Sequence, residues 1–123
     1  MKLLNWFQLP VTDIDRAVKF YESVMQLTLN RMDDDRMKRA FFPSDMENHD
    51  RTGGELVQSP DDRPSKEGVT IYFNSEDGVD AFLARVSAAG GQMTMPRTSI
   101  GEWGFIGLFV DSEGNQIGVH GIS

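Results

Sequence analysis

Trp103-Gly104-Phe105-Ile106-Gly107-Leu108-Phe109-Val110-Asp111-Ser112-Glu113-Gly114-Asn115-Gln116-Ile117-Gly118-Val119-His120 reads as two strands joined by a tight turn. The first strand is apolar nearly throughout, which predicts cover on both faces. Asp111-Ser112-Glu113-Gly114-Asn115 is turn chemistry: short polar side chains bond their own backbone, and a glycine supplies positive φ. Period two puts Gln116, Gly118 and His120 on one face of the second strand and Ile117 and Val119 on the other. One of the chain's two histidines therefore closes this hairpin.

Working outward, the 123 residues suit one domain spanning 1–123. The chain has no cysteine, which excludes disulfides, thiolate metal sites and cysteine nucleophiles. A net charge of −7 and a pI near 4.7 oppose binding to phosphate backbones or anionic lipid surfaces. Neither a leader nor an apolar run long enough to span a bilayer is legible, so the expectation is a cytoplasmic protein with no nucleic-acid or membrane partner.

Leu3 to Val11 reads as a strand, with Trp6 and Gln8 on one face and Phe7 and Leu9 on the other. Thr12 or Asp13 can cap the helix that follows, whose stripe is Ile14, Ala17, Val18, Tyr21, Val24 and Met25. Strands are predicted over Leu27–Met32, Met37–Phe42 and Gly53–Gln58, with Ser44–Thr52 as a loop carrying His49. Beyond the polar linker 59–67, a strand over Gly68–Asn74 precedes a second helix, opened by Ser75-Glu76-Asp77 and closed by Gly90-Gly91. Its stripe is Val79, Phe82, Leu83, Val86 and Ala89. Gln92–Met95 reads as a strand and Pro96–Gly101 as a loop before the hairpin. The order β-α-β-β-β thus occurs twice, over about 1–58 and 68–123. Trp6 aligns with Val69 and Glu55 with Gly118 at an offset of 63, and the helix stripes align at 65. Each unit covers one sheet face with its helix and leaves the other open. Two such sheets edge to edge give an α+β half-barrel cup, a natural pocket.

Asp13-Ile14-Asp15-Arg16-Ala17-Val18-Lys19-Phe20-Tyr21-Glu22 resembles the helix signature of the vicinal oxygen chelate superfamily, the glyoxalase I, bleomycin-resistance and extradiol-dioxygenase group. Asp111-Ser112-Glu113-Gly114-Asn115-Gln116-Ile117 resembles its closing turn. Within the group the chain looks closest to uncharacterised glyoxalase-like bacterial proteins, through Leu9-Pro10-Val11, Gly53-Gly54 and Val119-His120. The resemblance implies a divalent metal held by four side chains, at positions occupied here by Trp6, Glu55, Val69 and Gly118. Glu55 alone is a ligand type, so no metal is expected at the usual site. Gln8 lies two residues past Trp6 and His120 two past Gly118, so Gln8, Glu55 and His120 form the candidate set for a displaced metal.

The expected catalytic groups are Glu55 and His120. A carboxylate on a covered sheet face needs a partner, and an imidazole titrates near neutrality. Trp6, Gln8, Tyr72, Trp103 and Phe105 are the candidate substrate contacts, an apolar lining with one amide. Three functions stay open: a metal-independent lyase- or isomerase-type enzyme, a sequestering protein without turnover, and a metalloenzyme with displaced ligands. The ligand is a small organic molecule in each. The superfamily resemblance implies a homodimer. The sequence adds its own reason: Trp6, Phe41 or Phe42, Phe105, Leu108 and Phe109 present more apolar surface than two helices cover.

Overall fold

The computed structural model describes residues 3–43 and 52–123. His49 lies outside them. The strands and helices run β1 (Trp6–Pro10), α1 (Ile14–Met25), β2 (Asn30–Asp33), β3 (Lys38–Phe41), β4 (Gly53–Gln58), β5 (Tyr72–Asn74), α2 (Val79–Ala88), β6 (Gln92–Ser99), β7 (Phe105–Val110) and β8 (Gln116–Gly121), with one 3-10 turn at Gly101–Trp103. This is the βαβββ unit twice. Each unit forms a four-stranded mixed sheet, ordered β1-β4-β3-β2 and β5-β8-β7-β6. The first strand of each unit runs parallel to the last, and the other pairs are antiparallel.

The two helices share one core with the inner sheet faces. Ile14, Ala17, Phe20, Tyr21 and Val24 of α1 and Val79, Phe82, Leu83 and Val86 of α2 are buried; Phe20 joins the predicted stripes, and Val18, Met25 and Ala89 of those stripes are only partly buried against the core. Phe42 and Phe109, which the sequence left as uncovered surface, lie in this core. Phe7 of β1 meets Phe73 of β5 with ring centroids 5.7 Å apart, so the edge strands of the two sheets adjoin within one chain.

Local chemistry explains the helix ends. Asp13 caps α1, its Oδ1 accepting from the Arg16 N–H at 3.1 Å. Helix α2 has no side-chain cap: Gly78 stands at its N-cap with φ 102°, and the Val79 N–H donates to the Ser123 carbonyl at 3.0 Å. At the far end of α1, Arg85 of α2 donates from Nε to the Val24 carbonyl at 2.9 Å, tying the helices together.

The Asp-Ser-Glu-Gly-Asn turn between β7 and β8 is an interlock. Asp111 Oδ1 accepts from the N–H groups of Glu113 and Asn115, and Oδ2 accepts from the Tyr21 hydroxyl at 2.5 Å and from Asn115 Nδ2 at 3.1 Å. Asn115 also donates to the Pro10 carbonyl and accepts from the Ser65 N–H, so one side chain fixes β1, the linker and the turn. Glu113 accepts from the N–H groups of Thr12 and Asp13 and pairs with Arg16 in a fork at 2.7 and 3.0 Å.

Several strand boundaries differ from expectation: β1 starts at Trp6 rather than Leu3, β2 at Asn30 rather than Leu27, and β5 and β6 differ more. β5 is only Tyr72–Asn74, because the chain before it pairs sparsely, through a Gly118 N–H to Ile71 carbonyl bond. β6 runs through to Ser99 instead of stopping at Met95. Register shifts between Met93 and Met95 and between Met95 and Thr98 admit extra residues, so Pro96 lies in a bulge where its missing N–H costs no ladder bond. None of the described helices is long and apolar enough to cross a membrane.

Candidate functional site

Pairing fixes which side chains share the open face of the first sheet. Gln8 lies opposite Glu55, and so does Phe41 from the other side; Trp6, Gln8, Glu55, Phe41 and Arg39 therefore point away from the helices. Glu55 is only 3% exposed and is the centre of this face. Trp6 Nε1 donates to its Oε2 at 3.2 Å, and Gln8 Nε2 to its Oε1 at 3.1 Å. The Arg39 guanidinium is 3.7 Å from Oε1, an ion pair beyond hydrogen-bond length. The Trp6 and Phe41 rings flank the group, their centroids 5.9 Å apart. Gly53-Gly54 lets the edge strand approach: a Cβ on Gly54 would stand 2.2 Å from the Phe7 ring.

On the second sheet the open face carries Tyr72, Asn74, Gly118 and His120 with Ile106 and Leu108. Tyr72 lies opposite Gly118, and its ring occupies the space a Cβ on Gly118 would need, 2.3 Å away. His120 Nε2 is 2.6 Å from the Trp103 carbonyl. A carbonyl oxygen only accepts, so Nε2 carries the proton and Nδ1 is the atom free to accept one. Trp103 is 71% exposed on the turn beside His120. The two open faces adjoin, since Gln8 and Gln116 line one cavity of about 260 Å3 with the apolar side chains of Val69 and Ile71.

The structure brings Trp6, Gln8 and Glu55 into direct contact and gathers Tyr72, Trp103 and His120 on the neighbouring sheet. Phe105 goes elsewhere: it alternates with Ile106 onto the helix side, where Arg97 stacks on its ring at 5.0 Å. The residue pattern fixed the alternation but not its phase. Arg39 and Phe41 were missed as neighbours of Glu55. Pairing Met37–Phe42 against Gly53–Gln58 would have found them. A larger cleft of about 710 Å3 lies away from the open faces, between the Asp34–Met37 turn and the linker around Pro60 and Arg63.

The residues present do not fit the divalent metal that the resemblance implies. Glu55 corresponds to Gly118, as aligned from sequence. The residue opposite each, however, is Gln8 and Tyr72, an offset of 64 rather than 63, so Val69 leaves the set and stands 91% exposed ahead of β5. The pairing-defined positions supply one carboxylate, one amide, a phenol ring and a glycine. The carboxylate already accepts two hydrogen bonds and faces a guanidinium, whose positive charge opposes a cation. In the displaced set His120 donates Nε2–H to a carbonyl of the second sheet's own turn, which leaves Nδ1 as its ligand atom, and the carboxylate is the same engaged Glu55. Among the described residues no three His, Cys, Asp or Glu side chains group to hold a metal.

Paired βαβββ units and an open face organised on a buried strand carboxylate define a glyoxalase-type cup. The family model of the Glyoxalase/Bleomycin resistance protein/Dioxygenase superfamily matches residues 3–119, and the chain belongs to that superfamily. No curated protein matches it. Among solved structures it is similar to a glyoxalase/bleomycin resistance protein/dioxygenase domain from Frankia sp. EAN1pec, at TM-score 0.74 and 18% identity over 98% of this chain and 92% of that one. A glyoxalase/bleomycin resistance protein from Albidiferax ferrireducens T118 gives 0.73 and 20% identity over 98% of both. The fosfomycin resistance protein FosX from Listeria monocytogenes gives 0.69 and 17% identity over 98% and 91%. At these identities the likeness is one of fold.

Proposed function

We propose that the open face binds a small organic molecule with Glu55 as its polar anchor, and that it does so without the superfamily's four-ligand metal. The observation that carries this reading is the convergence of Trp6, Gln8 and Arg39 on a carboxylate that is almost wholly buried. Fixing a charge inside an aromatic-walled face costs desolvation, and a ligand contact is what that expense supports. If the molecule is turned over, the reaction is of lyase or isomerase type, with Glu55 or Nδ1 of His120 taking the proton. Ions titrated into the protein test the metal-free part: nickel, zinc and manganese are expected to wash out on desalting. Stoichiometric retention of any of them would overturn it and restore the displaced set Gln8, Glu55 and His120.

Sequestration without turnover is the second reading, favoured by the engagement of Glu55. A carboxylate already accepting from Trp6 and Gln8 is better arranged to hold a ligand than to remove a proton. Product formation lost in Glu55→Gln would decide for an enzyme; tight binding with no product decides for sequestration. We further infer a homodimer, supported by the exposed Met32, Tyr72, Met93 and Trp103 side chains, which one chain leaves uncovered.

A further inference from the structure

Two side-chain amides meet at the seam between the sheets with polar atoms to spare. Gln8 donates from Nε2 to Glu55 Oε1 at 3.1 Å. A carboxylate only accepts, so this bond fixes which way the amide is turned: its Oε1 looks away from Glu55 and has no donor among the described residues. Gln116 opens β8 on the face it shares with Gly118 and His120. Its backbone N–H goes to the Ser65 carbonyl at 3.3 Å, and its side chain has no partner among the described residues. The two strands belong to different sheets, yet both glutamines line the cavity of about 260 Å3.

The rest of that cavity limits what can enter. Val69 and Ile71 give it an apolar wall. The chain that carries them is pinned on either side, by the Ser65 N–H to Asn115 Oδ1 at 3.0 Å and by the Ile71 carbonyl to the Gly118 N–H at 2.8 Å. Val69 between these ties is 91% exposed, so the cavity is reached from solvent past it. Arg63 and Glu67 are the only charged residues lining it, both at exposed positions and of opposite sign, so it offers a ligand no net charge. Its volume lies below the roughly 300–1,000 Å3 of sites for drug-sized molecules.

Resting on the reading that the open face binds a small organic molecule, we propose that the ligand is neutral and presents a cyclic amide edge, an N–H beside a C=O on a small ring, to the two glutamines. Gln8 Oε1 takes the N–H, the Gln116 amide donates to the C=O, and the ring carbons lie against Val69 and Ile71. Glu55 then acts through Gln8, by holding its acceptor outward, and a ligand that lacks the N–H leaves that acceptor unmet.

2-Piperidone, its N-methyl derivative and the ring-opened 5-aminopentanoate test this on the full chain, followed by NMR at the side-chain amides of Gln8 and Gln116 and at the Trp6 Nε1–H. 2-Piperidone is expected to bind saturably and move both glutamine signals. N-methylation, which removes the donor, should weaken binding at least about fivefold. 5-Aminopentanoate, charged at both ends, should bind more weakly than 2-piperidone. Gln116→Leu should weaken 2-piperidone toward its N-methyl derivative. Equal binding of the two lactams to the unaltered chain, or tighter binding of 5-aminopentanoate, would overturn the proposal. Saturable binding that moves Trp6 but neither glutamine would overturn it and leave the open face as a ligand site; saturable binding that moves none of the three signals would overturn both. Absence of saturable 2-piperidone binding also overturns it. The comparison of probes on the unaltered chain keeps the test valid even if the variant fails to fold.

Discussion

Tyr21 and Asp111 are the residues on which the two units depend most directly. The phenol is wholly buried and its hydroxyl donates to a carboxylate that also serves two backbone N–H groups and Asn115. Removing that donor leaves a buried charge short of one bond, so Tyr21→Phe should cost about 1.5–3 kcal/mol in urea unfolding. Burial first, and then the negative charge of Asp111, holds the phenol well above its ordinary 10.0. The unfolded chain therefore loses this proton before the folded one does. Stability is independent of this group below about pH 10 and falls as pH rises beyond it. Melting temperature followed from pH 9 to 11 should drop more steeply for the unaltered chain than for Tyr21→Phe. Glu113 acts at the other end of the scale. Burial raises its pKa, but the hydrogen bonds from Arg16, the Asp13 N–H, Ser112 and the Thr12 N–H outweigh that and leave it below 4.5. Its contribution is present above pH 4.5 and is lost as pH falls through the lower folded value. Glu113→Gln should flatten the acid limb of the melting profile, and parallel acid limbs would contradict the assignment. At this scale the sequence revealed Glu55, since a carboxylate in a β-forming run is conspicuous. It hid Arg39, which looked like one more charge beside an aspartate run and acquires meaning only through pairing across β3 and β4.

At the level of elements, the two units use the same device on opposite faces. Phe7 lies over Gly54 on the core side, and Tyr72 lies over Gly118 on the open side. Phe7 is hemmed in by Phe42 and Phe73, so Gly54→Ala should cost about 1–3 kcal/mol by overpacking. Tyr72 is 48% exposed and free to swing outward, so Gly118→Ala should stay within about 1 kcal/mol of the unaltered chain while changing ligand affinity. Equal losses at both glycines would show that Tyr72 is packed as tightly as Phe7. Element order, both helices and the βαβββ repeat were legible because helical stripes and turn residues are local signals. The phase of β7 and the reach of β6 were not. An apolar run such as Phe105–Val110 offers no polar residue to mark its outer face, and a proline reads as a break until a bulge accommodates it. The one-residue change of offset between β1 and β5 was invisible for the same reason: β5 is three residues long, and only its pairing with β8 fixes its position.

For the whole molecule, β1 and β5 adjoin in one chain, and the sheets that carry Glu55 and His120 are neighbours. A homodimer would cover exposed apolar side chains, Met32, Tyr72 and Trp103 beside the open faces among them, and light scattering at micromolar concentration should give twice the 13.8 kDa of one chain. An interface above roughly 1,200 Å2 is expected. A mass of one chain would end the dimer claim without touching the cup. Mixing Glu55→Ala with His120→Ala chains should then give no rescue of any activity found, because the two residues lie in the same chain; rescue would mean that partner chains exchange them. The most direct test of the cup itself is native mass spectrometry of the chain purified from cell extract, beside Glu55→Gln. The expected result is a chain carrying a small organic adduct, without a metal increment, and loss of that adduct in Glu55→Gln. A stoichiometric metal increment, or an unaltered chain that carries nothing from the extract, would contradict an open face built to hold a small molecule on Glu55.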